Sequence, residues 1–256
     1  MEEQTFETLY CEILTQNGLN LYCKEPYIGK FEQFLRLFLQ ENAITNLSAI
    51  RDPAEAIAKH LADCLLAVDY LPSGATVLDV GCGGGFPTIP WAIARPDLKI
   101  TALDSTQKKI DCVSRMVSAL ELQNVNPICG RAEDAKQKPL LASFDVVTAR
   151  AVANLRVLAE LTLPFARVGG LLVALKGSQG SEEAKDAENA LKILGGELEA
   201  DVSRTLICPI SQKERKNSPA NVEYGSESRH ILLIRKQKPT PSGYPRAYAQ
   251  ILKRPL

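Results

Sequence analysis

Val77-Leu78-Asp79-Val80-Gly81-Cys82-Gly83-Gly84-Gly85-Phe86-Pro87 decides the fold of this chain. The apolar run predicts a strand, the glycines a sharp turn whose backbone can approach a ligand, and Pro87 a helix opening with free N–H groups. A dinucleotide fingerprint of the G-x-G-x-x-G type would need a third glycine where Phe86 stands, and it binds pyrophosphate, which a carboxylate at the strand end would repel. Asp79 therefore points to a ligand carrying positive charge. S-adenosylmethionine has that character in its ammonium and sulfonium groups, with Asp79 and Gly81 placed to hold it.

A second acidic signal follows in Lys99-Ile100-Thr101-Ala102-Leu103-Asp104, another strand ending in a carboxylate. One helix and one strand fit between the glycine loop and Asp104, about the 20 residues of a βαβ unit with a ribose-binding acid. Short apolar runs near 75–80, 99–104, 125–129, 144–148 and 170–175 alternate with helical patterns. That alternation predicts an α/β fold with a doubly wound, mostly parallel sheet. Strands around Glu197–Cys208 and Arg229–Arg235 would close it as an antiparallel pair, making seven, with Ser211–Ser228 as a surface loop between them. In such sheets ligands bind beyond the carboxyl ends of the strands, which directs attention to Arg131-Ala132-Glu133, Arg150 and Lys176.

Ahead of the sheet, Phe31, Phe34, Leu35, Phe38 and Leu39 recur at helical spacing and are expected to be core contacts. Asp52-Pro53-Ala54-Glu55 predicts a helix start, and that helix carries Lys59, His60 and Asp63. The expected division is a helical extension over 1–70, a cofactor-binding domain over 71–236 and a basic tail over 237–256. From Ser228 to the end there is no acid, but there are Arg229, Arg235, Lys236, Lys238, Arg246, Lys253 and Arg254, so the remainder must carry a matching negative excess in a chain of net charge zero. With Tyr244 and Tyr248 interleaved, such a tail could lie along a phosphate backbone.

Other classes are disfavoured. Seven cysteines without a C-x-x-C pair, and only two histidines, argue against a disulfide framework and a zinc site. No apolar run approaches a membrane span and no signal-peptide pattern opens the chain, so the expectation is a soluble, cytoplasmic protein with neither membrane nor metal partner.

Several segments together resemble one family: Asn46-Leu47-Ser48-Ala49-Ile50-Arg51-Asp52-Pro53, the Gly81–Pro87 loop with Ile89-Pro90, Leu103-Asp104-Ser105, Gly130-Arg131-Ala132-Glu133, Thr148-Ala149-Arg150-Ala151-Val152-Ala153, Ala174-Leu175-Lys176-Gly177, and Lys236-Gln237-Lys238-Pro239-Thr240-Pro241. From about residue 30 onward the chain resembles the bacterial ribosomal RNA small subunit methyltransferase G family, also called glucose-inhibited division protein B. The resemblance implies a Rossmann-like class I methyltransferase acting as a monomer. It also implies methyl transfer from S-adenosylmethionine to N7 of one guanine in the 16S rRNA of the small ribosomal subunit. It carries the family's cofactor pocket to Gly83, Phe86, Ala132, Glu133 and Arg150, with Ala132 and Glu133 beside the adenine. Departures are Thr88, where glycine is common, Ser228 before Arg229-His230, where glutamate is usual, and a longer Ser211–Ser228 stretch.

Guanine N7 has an in-plane lone pair and needs no deprotonation, so no general base is expected. Catalysis would come from holding N7, the methyl carbon and sulfur in line. Arg150 and Lys176 are expected to orient the guanine or its phosphate, because bidentate O6/N7 recognition would occupy the nucleophile. Asn46, Arg51, His60, Lys176 and Arg229 are the candidates for the RNA side, although His60 and Asp63 at i, i+3 also fit a helix-surface pair. The chain lacks the Asn/Asp-Pro-Pro-aromatic motif of exocyclic-amine enzymes and the Pro-Cys pair of cytosine C5 enzymes. Two other classes stay open: a nicotinamide-dependent oxidoreductase, weakened by Asp79 and Phe86, and a non-catalytic RNA-binding protein on a relic cofactor fold.

Overall fold

In the computed structural model, which describes residues 6–134, 139–210 and 224–256, five strands lie parallel: Thr76–Val80 (β1), Lys99–Asp104 (β2), Val125–Cys129 (β3), Phe144–Arg150 (β4) and Ala166–Lys176 (β5). Gly196–Pro209 (β6) and Tyr224–Lys236 (β7) form an antiparallel pair joined to β5 through β7. The sheet order is β3-β2-β1-β4-β5-β7-β6. The order reverses between β1 and β4, and a sheet of this kind opens its ligand crevice there, beyond the strand carboxyl ends. Val77, Leu78, Asp79 and Val80 are all buried because helices cover both faces, which explains why this strand reads as a continuous run and not as an alternation.

The expected strands are in place, with two corrections. β5 begins at Ala166, earlier than the apolar run indicates, and Tyr224–Ser228, expected as loop, is strand. Those polar residues pair with Thr205–Pro209, since the long β6 extends the hydrogen-bonded ladder past the apolar stretch. The rest of the expected loop, 211–223, lies outside the described residues.

The N-terminal helices Phe6–Gln16 (α1) and Tyr27–Thr45 (α2) share one apolar core with the sheet: Phe31, Phe34, Leu35 and Phe38 are buried with Val77, Ile100 and Val173, while Leu39 is partly buried against them. Pro53–Ala56 (α3) is capped as expected, the Asp52 carboxylate accepting from the Glu55 amide at 3.0 Å. It runs into a π-helical stretch, Ile57–Ala62, and then Asp63–Leu65 (α4). Thr88–Ala94 (α5) follows the glycine loop, with Pro87 at its N-cap and not inside the helix. Gln107–Ala119 (α6), Leu155–Thr162 (α7), Gly180–Asp186 (α8) and Glu188–Leu194 (α9) complete the layers, with a last helix at Tyr248–Lys253. Among the described residues, no helix is long and apolar enough to cross a membrane.

The basic C-terminal segment is docked on the rest of the chain, several of its cations being paired there, while Lys238, Lys253 and Arg254 stay exposed. Arg246 donates to both oxygens of the wholly buried Glu160 on α7, at 2.8 and 2.5 Å. Arg156 holds the Leu256 carbonyl at 2.6 Å and the Pro255 carbonyl at 2.9 Å. Lys236 is buried against the Leu194 carbonyl and Thr240, and burial lowers its pKa to about 8. Arg235 pairs with Glu199 and Arg229 with Asp63 and Glu227. Apart from Glu227, the acids that pair with these cations, Asp63, Glu160 and Glu199, lie far away in the sequence, so a local charge count could not find them.

Candidate active site: two cavities meeting at Arg150

The glycine loop closes over β1 as the sequence requires. Gly81 has φ +77°, and a Cβ there would sit 2.7 Å from Cγ2 of Val152, so both the turn and the close approach of the next strand's loop exclude a side chain. Beside the loop lies a cavity of about 470 Å³ lined in part by Gly81, Gly83, Phe86, Asp104, His60 and Arg150. Asp104, at the end of β2, is fixed by the Gly83 amide on Oδ2 at 3.0 Å and the Thr106 amide on Oδ1 at 2.9 Å.

Asp79 does not line this cavity. It is fully buried beneath the loop; Oδ2 accepts from the Thr88 hydroxyl at 2.6 Å, and Oδ1 has no partner among the described residues. Desolvation raises its pKa to about 7 against the pull of Thr88 and Arg150. Thr88, the departure from the family's common glycine, thus supplies the hydroxyl that ties Asp79 to α5.

On the other side of Arg150 is a second cavity of about 600 Å³, whose lining includes Lys59, Asp63, Asn154, Lys176, Glu183 and Arg229. Arg150, Ala151 and Val152 belong to both. Ala151 has φ +56°, a left-handed conformation unusual for alanine, which turns the chain sharply after β4. Arg150, only 16 % exposed in its side chain, is clamped from several directions. It donates to the Lys59 carbonyl at 3.0 Å and to Asp63 Oδ2 at 3.2 Å, and its guanidinium carbon lies 5.2 Å from the centroid of the Phe86 ring. Asp63 in turn receives Arg229 on Oδ1 at 2.8 Å, so one buried carboxylate joins the two arginines.

His60 lies against Phe86, ring centroids 4.7 Å apart and nearly parallel. Its Nδ1 is 3.2 Å from Arg150 and its Nε2 2.8 Å from the Ser48 hydroxyl. Arginine can only donate, so Nδ1 accepts and Nε2 carries the proton. Burial, then the Arg150 charge, push the His60 pKa down to about 3, leaving the ring neutral. The expected surface pair of His60 with Asp63 is replaced by a shared attachment to Arg150, because the π turn lies against β4's end and not in solvent.

The remaining candidates are placed as follows. Arg51 donates to Asn46 at 2.8 Å; neither lines either of these two cavities, although Ser48 and Ile50 between them do. Ala132 is buried and Glu133 lies 3.6 Å from Arg131, both outside the two linings. Lys176 is not a lone cation: its ammonium is 2.6 Å from Glu183 and 2.5 Å from the Ala153 carbonyl. Glu183 has no mark in the sequence that separates it from Glu182, and only its hydrogen bonds to Lys176 and the Leu155 amide single it out. Among the described residues, no group of three or more His, Cys, Asp or Glu side chains is arranged to hold a metal ion.

A family model described as rRNA small subunit methyltransferase G matches residues 27–205. The chain belongs to the rRNA small subunit methyltransferase G family. It is 38 % identical to the Ribosomal RNA small subunit methyltransferase G of Streptococcus agalactiae serotype III over 96 % of this chain and 98 % of that one. The corresponding protein of Brevibacillus brevis is 36 % identical, over 96 % and 98 % of the two chains. Among solved structures, a SAM dependent methyltransferase from Aquifex aeolicus matches with a TM-score of 0.51 at 16 % identity, covering 74 % of this chain and 97 % of that one. A precorrin-6y C5,15-methyltransferase from Geobacter metallireducens matches with a TM-score of 0.51 at 13 % identity, over 68 % and 87 %. The structural likeness concerns the fold, which is that of Rossmann-like methyltransferases.

The residues present fit S-adenosylmethionine as the family's methyl donor. An acid at the end of β2 faces the cavity with both oxygens fixed, and an added Cβ at Gly83 would meet only the Gly81 carbonyl, at 3.9 Å. A buried carboxyl group with an unpartnered oxygen lies under the loop, one that a cationic ligand nearby would draw toward its ionised form.

Proposed function

We propose that this chain transfers a methyl group to N7 of one guanine in the 16S RNA of the small ribosomal subunit, in the cytoplasm and as a monomer. The observation that carries the reading is the seam between the cavities. The imidazole beside that seam among the described residues, His60, is neutral and its acceptor nitrogen is already committed to Arg150, so it is not free to act as a base there. A nucleophile that must lose a proton before attack would be poorly served there, whereas guanine N7 attacks as it is.

S-adenosylmethionine, when bound, supplies an electrophilic methyl group on a positively charged sulfur. Gly81, Gly83 and Phe86 would shape the first cavity for it, Asp104 would accept from its ribose hydroxyls, and Asp79, drawn toward its ionised form by the ligand's positive charge, would supply negative potential from beneath the loop. The family resemblance adds Ala132 and Glu133 at the adenine. Arg150, held between Asp63, the Lys59 carbonyl and the Phe86 face, is a rigid donor at the boundary and orients what enters the second cavity. Arg229 and Lys176 belong to the second cavity and engage the RNA side, with Asn46 and Arg51 on the adjoining connection. A positive charge develops on the base as it is methylated. The Lys176–Glu183 pair is neutral overall, so this lysine does not oppose it as an isolated ammonium would.

The test is to incubate the protein and S-adenosylmethionine with unmodified small subunits and with naked small-subunit RNA, then map the product by mass spectrometry. One N7-methylguanosine is expected. Cofactor binding without a methylated guanine would overturn the substrate assignment.

A further inference from the structure

Two carboxylates line the second cavity, Asp63 and Glu183, and they are committed differently. Each oxygen of Asp63 already holds an arginine. Glu183 uses one oxygen only: Oε2 accepts from the Leu155 amide at 2.8 Å and from Lys176 at 2.6 Å. These two donors, one from the start of α7 and one from the end of β5, fix the carboxylate plane, while Oε1 has no hydrogen bond among the described residues and the side chain stays 24 % exposed. Lys176 has a matching surplus. Its ammonium carries three protons, of which the Ala153 carbonyl and Glu183 take two.

On the reading of the function proposed above, this arrangement has a specific use. An N7 methyltransferase must recognise guanine without touching N7, so recognition has to come from the Watson–Crick edge, where a base drawn out of its stack is read. That edge offers O6 as acceptor, then N1–H and the N2 amino group as donors. Adenine reverses the first two and lacks the third. A carboxylate accepts only and an ammonium donates only, so a Lys176–Glu183 pair complements guanine and mismatches adenine. We infer that Glu183 is the guanine-reading residue, its Oε1 accepting from N1–H and the N2 amino group while Lys176 donates to O6, leaving N7 facing the cofactor cavity across Arg150. The role is one of specificity and orientation; no proton is transferred to or from Glu183.

The N2 amino group makes the inference testable, because inosine lacks it and keeps N7. Small-subunit RNA is prepared with guanosine or with inosine at the target position, and kcat/KM for N7 methylation is measured for the wild type and for Glu183→Gln. The glutamine retains a carbonyl for the Leu155 amide but places a donor where Oε1 stood. The wild type is expected to prefer guanosine by about 10- to 100-fold, the discrimination of a good base-edge contact. In Glu183→Gln the preference should fall to within about 3-fold, while the cofactor-induced rise in melting temperature persists. Inosine differs slightly in N7 nucleophilicity, and that part cancels in the comparison of the two proteins. A wild-type preference below about 3-fold overturns the inference without recourse to any variant. An unchanged preference in Glu183→Gln overturns it as well. Failure of the wild type to methylate either RNA at N7 removes the functional reading itself, and the inference with it.

Discussion

Replacing Asp79 by asparagine should make the ligand-free protein more stable at high pH, although the residue sits in the most diagnostic stretch of the chain. The carboxyl is fully buried with one oxygen unpartnered, and its pKa is raised from 3.8 to about 7, chiefly by desolvation. Below pH 3.8 the group is protonated in both folded and unfolded chains and has no effect on their balance. As pH rises towards 7 the unfolded chain releases this proton and the folded one retains it, so stability is progressively lost, and above pH 7 the loss is constant. A separation of roughly three pKa units corresponds to about 4 kcal/mol at the plateau, taken as an upper value. Asparagine has no such titration. Its own amide leaves a donor or acceptor unpaired at a cost of about 1–3 kcal/mol, which does not vary with pH. The difference in unfolding free energy between the variant and the wild type should therefore shift in the variant's favour by roughly 3 kcal/mol between pH 5 and pH 8. Urea unfolding of both apo proteins at the two values measures it, and the other titrating groups cancel in the difference. The same variant should bind S-adenosylmethionine more weakly, since asparagine cannot ionise in response to the ligand's positive charge. A stability difference that does not change with pH would refute the argument that Asp79 is a desolvated acid in the folded state.

His60 should remain neutral in the folded protein at pH 5, with ring resonances that do not move between pH 8 and pH 5. Because its folded pKa lies below the unfolded value, it should subtract about 2 kcal/mol of stability as pH falls from 6.5 to 5, a loss absent from His60→Gln. Gly81→Ala should cost about 1–3 kcal/mol in thermal or urea unfolding, from both its positive φ and the 2.7 Å approach to Val152; adding Val152→Ala should recover only the part due to the contact. Arg246→Met should lower stability by about 3 kcal/mol, because it strands the buried Glu160 carboxylate. The salt dependence of RNA binding in that variant should stay as in the wild type, and a drop of one unit in its slope would restore Arg246 to the RNA interface.

The parts of this protein legible in its sequence are those specified by neighbours along the chain. The β1–loop–α5 unit is visible because a strand, a glycine turn and a helix start follow one another within a dozen positions, each with its own residue preferences. Asp104 is visible because a helix and a strand of ordinary length separate it from that loop. The parallel order of β1–β5 follows from apolar runs alternating with helical periods. The polar start of β7 was not legible, since pairing with β6 and not its own composition keeps Tyr224–Ser228 extended.

What only the tertiary structure decided is which charged groups find each other. Asp63, Arg150 and Arg229 come from a helix, a strand end and an antiparallel strand, and nothing in their spacing marks them as one network. The same holds for Glu160 with Arg246, which converts an expected basic arm into a docked segment, and for Glu183 with Lys176, which leaves one carboxylate oxygen open to the second cavity. Turns, caps and strand runs are set by steric and hydrogen-bonding rules acting over a few residues, so the sequence by itself determined the cradle and the sheet. The partners of a buried charge are set by which elements the folded sheet brings into contact, and folding alone decided which charged groups face the second cavity.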